Sequence, residues 1–131
     1  MSLVMDASAL LAMIRDEAGA DVVEQLIEDN ECSVHVLNLC EVYYGSRRKS
    51  GEREADEAID SMAEMGIVPR EDIDTEFWKQ VGAYKADVAG LSLADCFCLA
   101  LATRVNGEIV TSDREFDKVV ERNLCPVRFI R

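Results

Sequence analysis

The segment LSLADCFCLALA, residues 91–102, decides how this chain is read. It holds one charged residue, Asp95, among leucines, alanines, cysteines and a phenylalanine. An ordinary surface helix keeps a polar outer face, and this run has none. It reads as a helix built for the core with a carboxylate at its mouth. A buried carboxylate is costly unless it is paired or coordinates a metal. The neighbouring sequence therefore has to supply either a cation or a reason for a metal.

Working outward, apolar β-type runs recur at LVM (3–5), SVHVL (33–37), GIVP (66–69), EIVT (108–111) and PVRFI (126–130). Helical patterns lie between them. Residues 20–29 place Val22, Val23, Leu26 and Ile27 on one face, and residues 52–65 do the same with Ala55, Ile59, Met62 and Met65. Residues 75–89 align Phe77, Val81, Tyr84 and Val88. Strands alternating with helices predict an α/β three-layer sandwich, with a central, mostly parallel five-stranded sheet flanked by helices. With no Pro/Ser-rich linker and no repeat, residues 1–131 read as one domain.

Composition narrows the class. The cysteines at 32, 40, 96, 98 and 125 are odd in number and contain no CxxC, which predicts reduced thiols in a cytoplasmic protein rather than a disulfide framework or zinc site. The opening MSLVMDASALLAMI is apolar, but it lacks a basic leader region and carries Asp6, so it does not read as a signal peptide. No uncharged run reaches the roughly 18 residues of a membrane span. Net charge is −12, whereas a chain that held nucleic acid by counterion release alone would be basic. A bound cation or a local basic patch would have to offset that acidity.

Parallel sheets bind ligands beyond the carboxyl ends of their strands. Asp6 follows the first β run, Glu41 the second, and Asp113 and Asp117 the fourth, while Asp95 opens the helix leading into that fourth run. Each has a structural explanation. NLCE, SLAD and SDRE fit a cap residue followed three positions later by an acid, and Asp6 can cap the next helix. Capping does not require apolar neighbours, yet Asp6, Glu41 and Asp95 all have them, and Lys and Arg are absent from their segments. Converging carboxylates repel one another. A hard divalent cation such as Mg²⁺ or Mn²⁺ removes the conflict with oxygen ligands. Asp6, Asp95 and Asp113 are then expected to face one cleft, with Glu41 on its wall.

Four pieces, VMDASALLA, NLCEVYYG, LSLADCFCLALA and IVTSDREFD, taken in that order, resemble the PIN-domain family, especially its VapC-like toxin ribonucleases. The resemblance spans nearly the whole chain. It implies metal-dependent endoribonuclease activity, with Asp6, Glu41, Asp95 and Asp113 as the catalytic and metal-binding quartet. Asp6 and Asp95 would be the direct ligands, with Asp117 a further acid found in some members. Ser8 and Thr111 would support the carboxylates. It also implies an RNA substrate, a protein antitoxin and a homodimer; the lack of a span-length apolar run predicts no membrane association.

His35 is the only histidine and reads as a satisfied strand residue, which leaves no ordinary serine or cysteine triad. The run Arg47–Lys49 is either a solvated helix end or a phosphate contact near the rim. Tyr43, Tyr44 and Trp78 read as core or interface packing before base stacking. A receiver domain would want an acid pair after the first strand and a late lysine. A haloacid-dehalogenase-like phosphatase would want a second Asp where Ser8 stands. The remaining alternatives are a PIN-like module that only binds RNA or protein, and a stand-alone RNA-processing nuclease.

Overall fold

A computed structural model describes residues 2–131 of the chain. Five strands form one sheet: β1 (Ser2–Met5), β2 (Glu31–His35), β3 (Val68–Arg70), β4 (Glu108–Thr111) and β5 (Val127–Phe129). Their order is β3-β2-β1-β4-β5, and every neighbouring pair is parallel. The sheet expected to be mostly parallel is therefore wholly so. Parallel neighbours cannot be joined by a tight turn, so each connection is a helical crossover.

Helices α1 (Ala7–Ile14) and α2 (Ala20–Asp29) join β1 to β2, and α3 (Val36–Ser50) and α4 (Glu52–Glu64) join β2 to β3. Helices α5 (Thr75–Asp87) and α6 (Leu93–Arg104) return the chain to β4. A 3-10 turn (Arg114–Phe116) and α7 (Asp117–Glu121) lead to β5. Side chains alternate across a strand. Leu3 and Met5 of β1 accordingly pack with Leu10, Val23, Ile27 and Met62 on one face, and Val4 packs with Phe77, Leu91, Leu99 and Phe116 on the other. Connections running one way along the sheet cover one face, and those running back cover the other, as right-handed crossovers require. The residues of 91–102 explain their own composition: Cys96 through Ala102 are all buried between the sheet and α5.

Three expectations need correction. The run 33–37 is not strand throughout, because β2 ends at His35 and α3 starts at Val36. His35 makes that boundary: its Nδ1 accepts from Leu37 N at 3.1 Å. Val22 on α2 and Met65, the residue just past α4, do not complete the buried faces and are 43% and 38% exposed. Tyr44 and Trp78 are 45% and 49% exposed, so neither packs in the core, which leaves the interface half of their packing reading. No helix among the described residues is long and apolar enough to cross a membrane.

Candidate active site

β1 is the strand at which the sheet order reverses: the chain leaves it toward β2 and β3, then crosses to β4 on its other side. A crevice opens at such a point, beyond the carboxyl ends of the two strands. Asp6 and Ser112 are the first residues past those ends.

Asp6 is 3% exposed and caps α1, accepting from Ala9 N at 2.9 Å. Thr111 Oγ1 donates to Asp6 Oδ2 at 2.5 Å, and Ser8 Oγ donates to both carboxylate oxygens, at 2.8 and 2.9 Å. The two hydroxyls also fix the β4 end. Ser8 Oγ accepts from Ser112 N, and Thr111 Oγ1 accepts from Asp113 N, each at 2.9 Å. This network holds Asp6 but brings it no positive charge. Burial pushes its carboxyl up to about 6, with the charge of Asp95 adding to the rise and the hydrogen bonds of Thr111, Ala9 and Ser8 opposing it.

Asp95 lies in the first turn of α6 and forms a true capping box there. Asp95 Oδ2 accepts from Ser92 N at 3.1 Å, and Ser92 Oγ accepts from Asp95 N at 3.0 Å. It nevertheless feels the other acids. Burial raises its pKa, Ser92 lowers it, and Asp113 and Glu115 raise it further. Glu41, half-buried on α3, is raised first by burial and then by the charges of Asp95 and Asp113. Asp113 caps the 3-10 turn through Glu115 N at 2.9 Å. None of the ion pairs among the described residues includes Asp6, Glu41, Asp95 or Asp113.

The four carboxylates thus share one electrostatic neighbourhood without forming a ready-made ligand cage. No group of three or more His, Cys, Asp or Glu among the described residues is disposed to hold a metal ion. The physical reason is visible in the contacts. Uncompensated carboxylates repel, and each has turned to the nearest N–H or O–H donor. The donor set is all carboxylate and hydroxyl oxygen, which suits a hard cation that keeps part of its water shell. The nearby thiol of Cys98 is pushed well up by burial and then by Asp6 and Asp95.

Two motifs behave differently from their sequence reading. NLCE is not a capping box, since His35 caps α3. Asn38 is instead a buried bridge: its Nδ2 donates to Ala94 O at 3.1 Å and to Glu41 Oε1 at 3.4 Å. It ties the Glu41 helix to the turn that carries Asp95, and its position three residues before Glu41 was the only available clue. SDRE is not a capping box either, because Asp113 rather than Ser112 is the cap. Its Glu115 pairs with Lys118 Nζ at 2.5 Å, and that pair lies against Gly90 in the loop before α6. Gly90 has φ +91°, and a Cβ there would collide with Lys118 Nζ.

The remaining candidates have other partners or positions. Asp117 is paired with Arg114 at 3.8 Å. Arg47–Lys49 occupy the last turn of α3, about 10 Å along the helix from Glu41. Both ring nitrogens of His35 are engaged, by Leu37 N and, at 2.8 Å, Asp72 O, and the ring stacks on Phe77.

The PIN domain family model matches residues 3–122. The chain belongs to the PIN-domain family. Solved structures share the fold over nearly the full length. VapBC2 from Rickettsia felis, bound to a DNA fragment from its promoter, aligns with a TM-score of 0.79 at 12% identity, covering 98% of each chain. DNA-bound VapBC from Salmonella typhimurium gives 0.75 at 13%, over 100% of this chain and 99% of that one. VapC20 from Mycobacterium tuberculosis, a sarcin-ricin loop cleaving toxin, gives 0.72 at 16%, over 88% and 92%. At these identities the likeness is one of fold. No curated protein matches the chain in sequence.

Proposed function

We propose that this PIN domain, a single unit over residues 1–131, is a metal-dependent endoribonuclease and the toxin of a toxin–antitoxin pair. Asp6, Glu41, Asp95 and Asp113 are its catalytic acids and hold Mg²⁺ or Mn²⁺, partly through waters. The observation that carries this reading is the contrast between charge and compensation. Four acids crowd the switch-point crevice, three of them with raised pKa values, and no Lys or Arg pairs with any of them.

A bound divalent cation would polarise a phosphodiester and lower the pKa of a water. The protein's own part is positional. Ser8, Thr111 and Ala9 N fix the Asp6 carboxylate, and Asn38 holds one oxygen of Glu41. The other oxygen of Glu41 is left free to face the cation or one of its waters. The antitoxin assignment follows from the family resemblance and from matched VapBC and toxin–antitoxin structures, and the homodimer assignment from the resemblance and the apolar richness of the chain. A chain at −12 suits a basic partner segment.

The capping box of Asp95 and the absence of a ready cage favour one rival reading, a PIN module that binds RNA or protein without cutting. RNA cleavage measured with Mg²⁺, with Mn²⁺ and with chelator separates the two. Cleavage that requires the cation and disappears in Asp6→Asn is expected. RNA left intact under all three conditions by a folded protein would establish the silent module.

A further inference from the structure

The chain has 14 Lys and Arg residues, and most are spent on ion pairs. Arg15 and Lys49 are not: neither joins any ion pair among the described residues. Both line one cavity of about 210 Å³, at the C-terminal ends of α1 and α3, with Ile14, Ser46, Ser50 and Glu54. Ser46 is 6% exposed and its buried Oγ has no hydrogen-bond partner. An unsatisfied buried hydroxyl is rare and marks a place where a ligand or water belongs. The N-terminus of α4 also opens here. Its N-cap, Gly51, offers no side-chain acceptor, so the first N–H groups of a 13-residue helix are left to an outside acceptor. A helix N-terminus with free N–H groups favours an anion.

We propose that this cavity is a phosphate-binding site. The Arg15 guanidinium supplies a planar fork of donors and the Lys49 ammonium a point charge, as phosphate recognition requires. The Ser46 hydroxyl gives a neutral donor, and the N-terminal end of α4 reaches the cavity edge through Ser50 and Glu54. Two acids stand close. Glu52 is already compensated by Arg47 at 3.7 Å. Glu54, on the cavity wall, is the one charge that opposes an anion and so limits affinity. Lys49 lies eight residues beyond Glu41 on α3, about 12 Å along its axis, so a phosphate held here is not one being cut at the acidic crevice. The phosphate arrives either free or on an RNA backbone. The site stands independently of the nuclease reading.

The test is binding of inorganic phosphate to the full chain, followed by ³¹P line broadening and by melting temperature, against chloride at matched ionic strength. Wild type should show saturable binding and a rise in melting temperature. Lys49→Gln, a change at an exposed helix end, should weaken binding about tenfold. Arg15→Gln/Lys49→Gln should abolish it, and Ser46→Ala should weaken it. Glu54→Gln should tighten it. An equal phosphate response in wild type and the Lys49→Gln variant, or no effect of Glu54→Gln, overturns the site. A single-stranded RNA oligonucleotide, measured on an Asp6→Asn background, identifies the source. RNA affinity that falls with Lys49→Gln assigns the phosphate to the RNA backbone. RNA affinity unchanged while phosphate binding is lost assigns a free phosphate.

Discussion

Asp74 and Asp6 each cap a helix: Asp74 accepts from Phe77 N at the start of α5, and Asp6 from Ala9 N at the start of α1. Their electrical surroundings are opposite. Asp74 receives both forks of Arg104, at 2.5 and 2.8 Å, and the same guanidinium reaches Asp72, which Arg70 also holds. The Arg104 hydrogen bonds bring Asp74 down to about 2, and the Arg70 hydrogen bond heads the causes that lower Asp72. Asp6 has hydroxyl and N–H donors but no cation, and burial takes it to about 6. Where acids serve the fold, this chain spends arginines on them. At the ends of β1 and β4 it spends none, and the proposed metal site rests on that asymmetry.

Neutralising Asp6 should have the largest effect. Its folded pKa is raised from 3.8 to about 6, so folding takes up a proton between those values. The metal-free wild type is therefore most favoured by this group below about pH 4 and loses that stability as pH rises through about 6. At pH 7 the loss is on the order of 3 kcal/mol, from 1.36 kcal/mol per pKa unit. Asp6→Asn should recover part of it, with the gain over wild type growing across that pH window, while cleavage falls ~1000-fold or more. Metal affinity of the wild type should weaken below about pH 6, since protons compete for the same oxygens. Urea titrations across pH in chelator, with Mg²⁺ titrations beside them, read both. A variant less stable than wild type at pH 7 would break the contrast with Asp74.

Thr111→Val comes next. It keeps the shape of a fully buried side chain but removes the donor to Asp6 and the acceptor for Asp113 N. An unsatisfied buried group costs about 1–3 kcal/mol, and loss of a supporting hydrogen bond to a ligand typically costs about 10–100-fold in activity. Both stability and cleavage should therefore fall, unlike the opposition expected for Asp6. Arg104→Met probes the other side of the comparison. It strips Asp74 and Asp72 of their shared cation and should lower the melting temperature modestly, because the pair is solvent-screened. Cleavage at the distant crevice should be unchanged. A cleavage loss here would mean that the clamp and the crevice are coupled.

Strand positions were legible in the sequence as short, mostly apolar runs, and all five strands overlap LVM, SVHVL, GIVP, EIVT and PVRFI, even β3 and β5, whose residues at the sheet edges are partly exposed. The β2–α3 boundary was not, because it rests on the His35 ring reaching Leu37 N, and no propensity scale encodes that contact. The acidic positions were legible as residues at strand ends. What each carboxylate touches was not. NLCE, SLAD and SDRE look alike as patterns, yet only SLAD forms a box, since the other two depend on where the preceding strand releases the chain. Asn38 and Glu115 escaped because their roles depend on partners 56 residues away, for Ala94, and on the approach of one turn to another.

Asp95 gives the smallest change in stability and the sharpest discrimination. Its two possible roles predict opposite signs. As a cap it donates no charge to Arg or Lys but accepts from Ser92 N, and the α6 dipole favours its negative charge. If that were its whole purpose, Asp95→Asn would cost a few tenths to ~1 kcal/mol, because Asn keeps the acceptor and loses the charge. If Asp95 also crowds an uncompensated site, removing its charge relieves Asp6, Glu41 and its own repulsion from Asp113 and Glu115. The two contributions then roughly cancel, and the metal-free variant should be as stable as wild type or slightly more so. Metal supplies the second readout: Mg²⁺ should raise the melting temperature of wild type, since a ligand bound only by the folded state stabilises it, and the variant should lose most of that rise together with RNA cleavage. Melting curves of both proteins in chelator and in Mg²⁺, beside a cleavage assay, therefore decide the assignment. A variant less stable in chelator, equally responsive to metal and still cutting RNA would make Asp95 a cap like Asp74, and the crevice would lose its second acid.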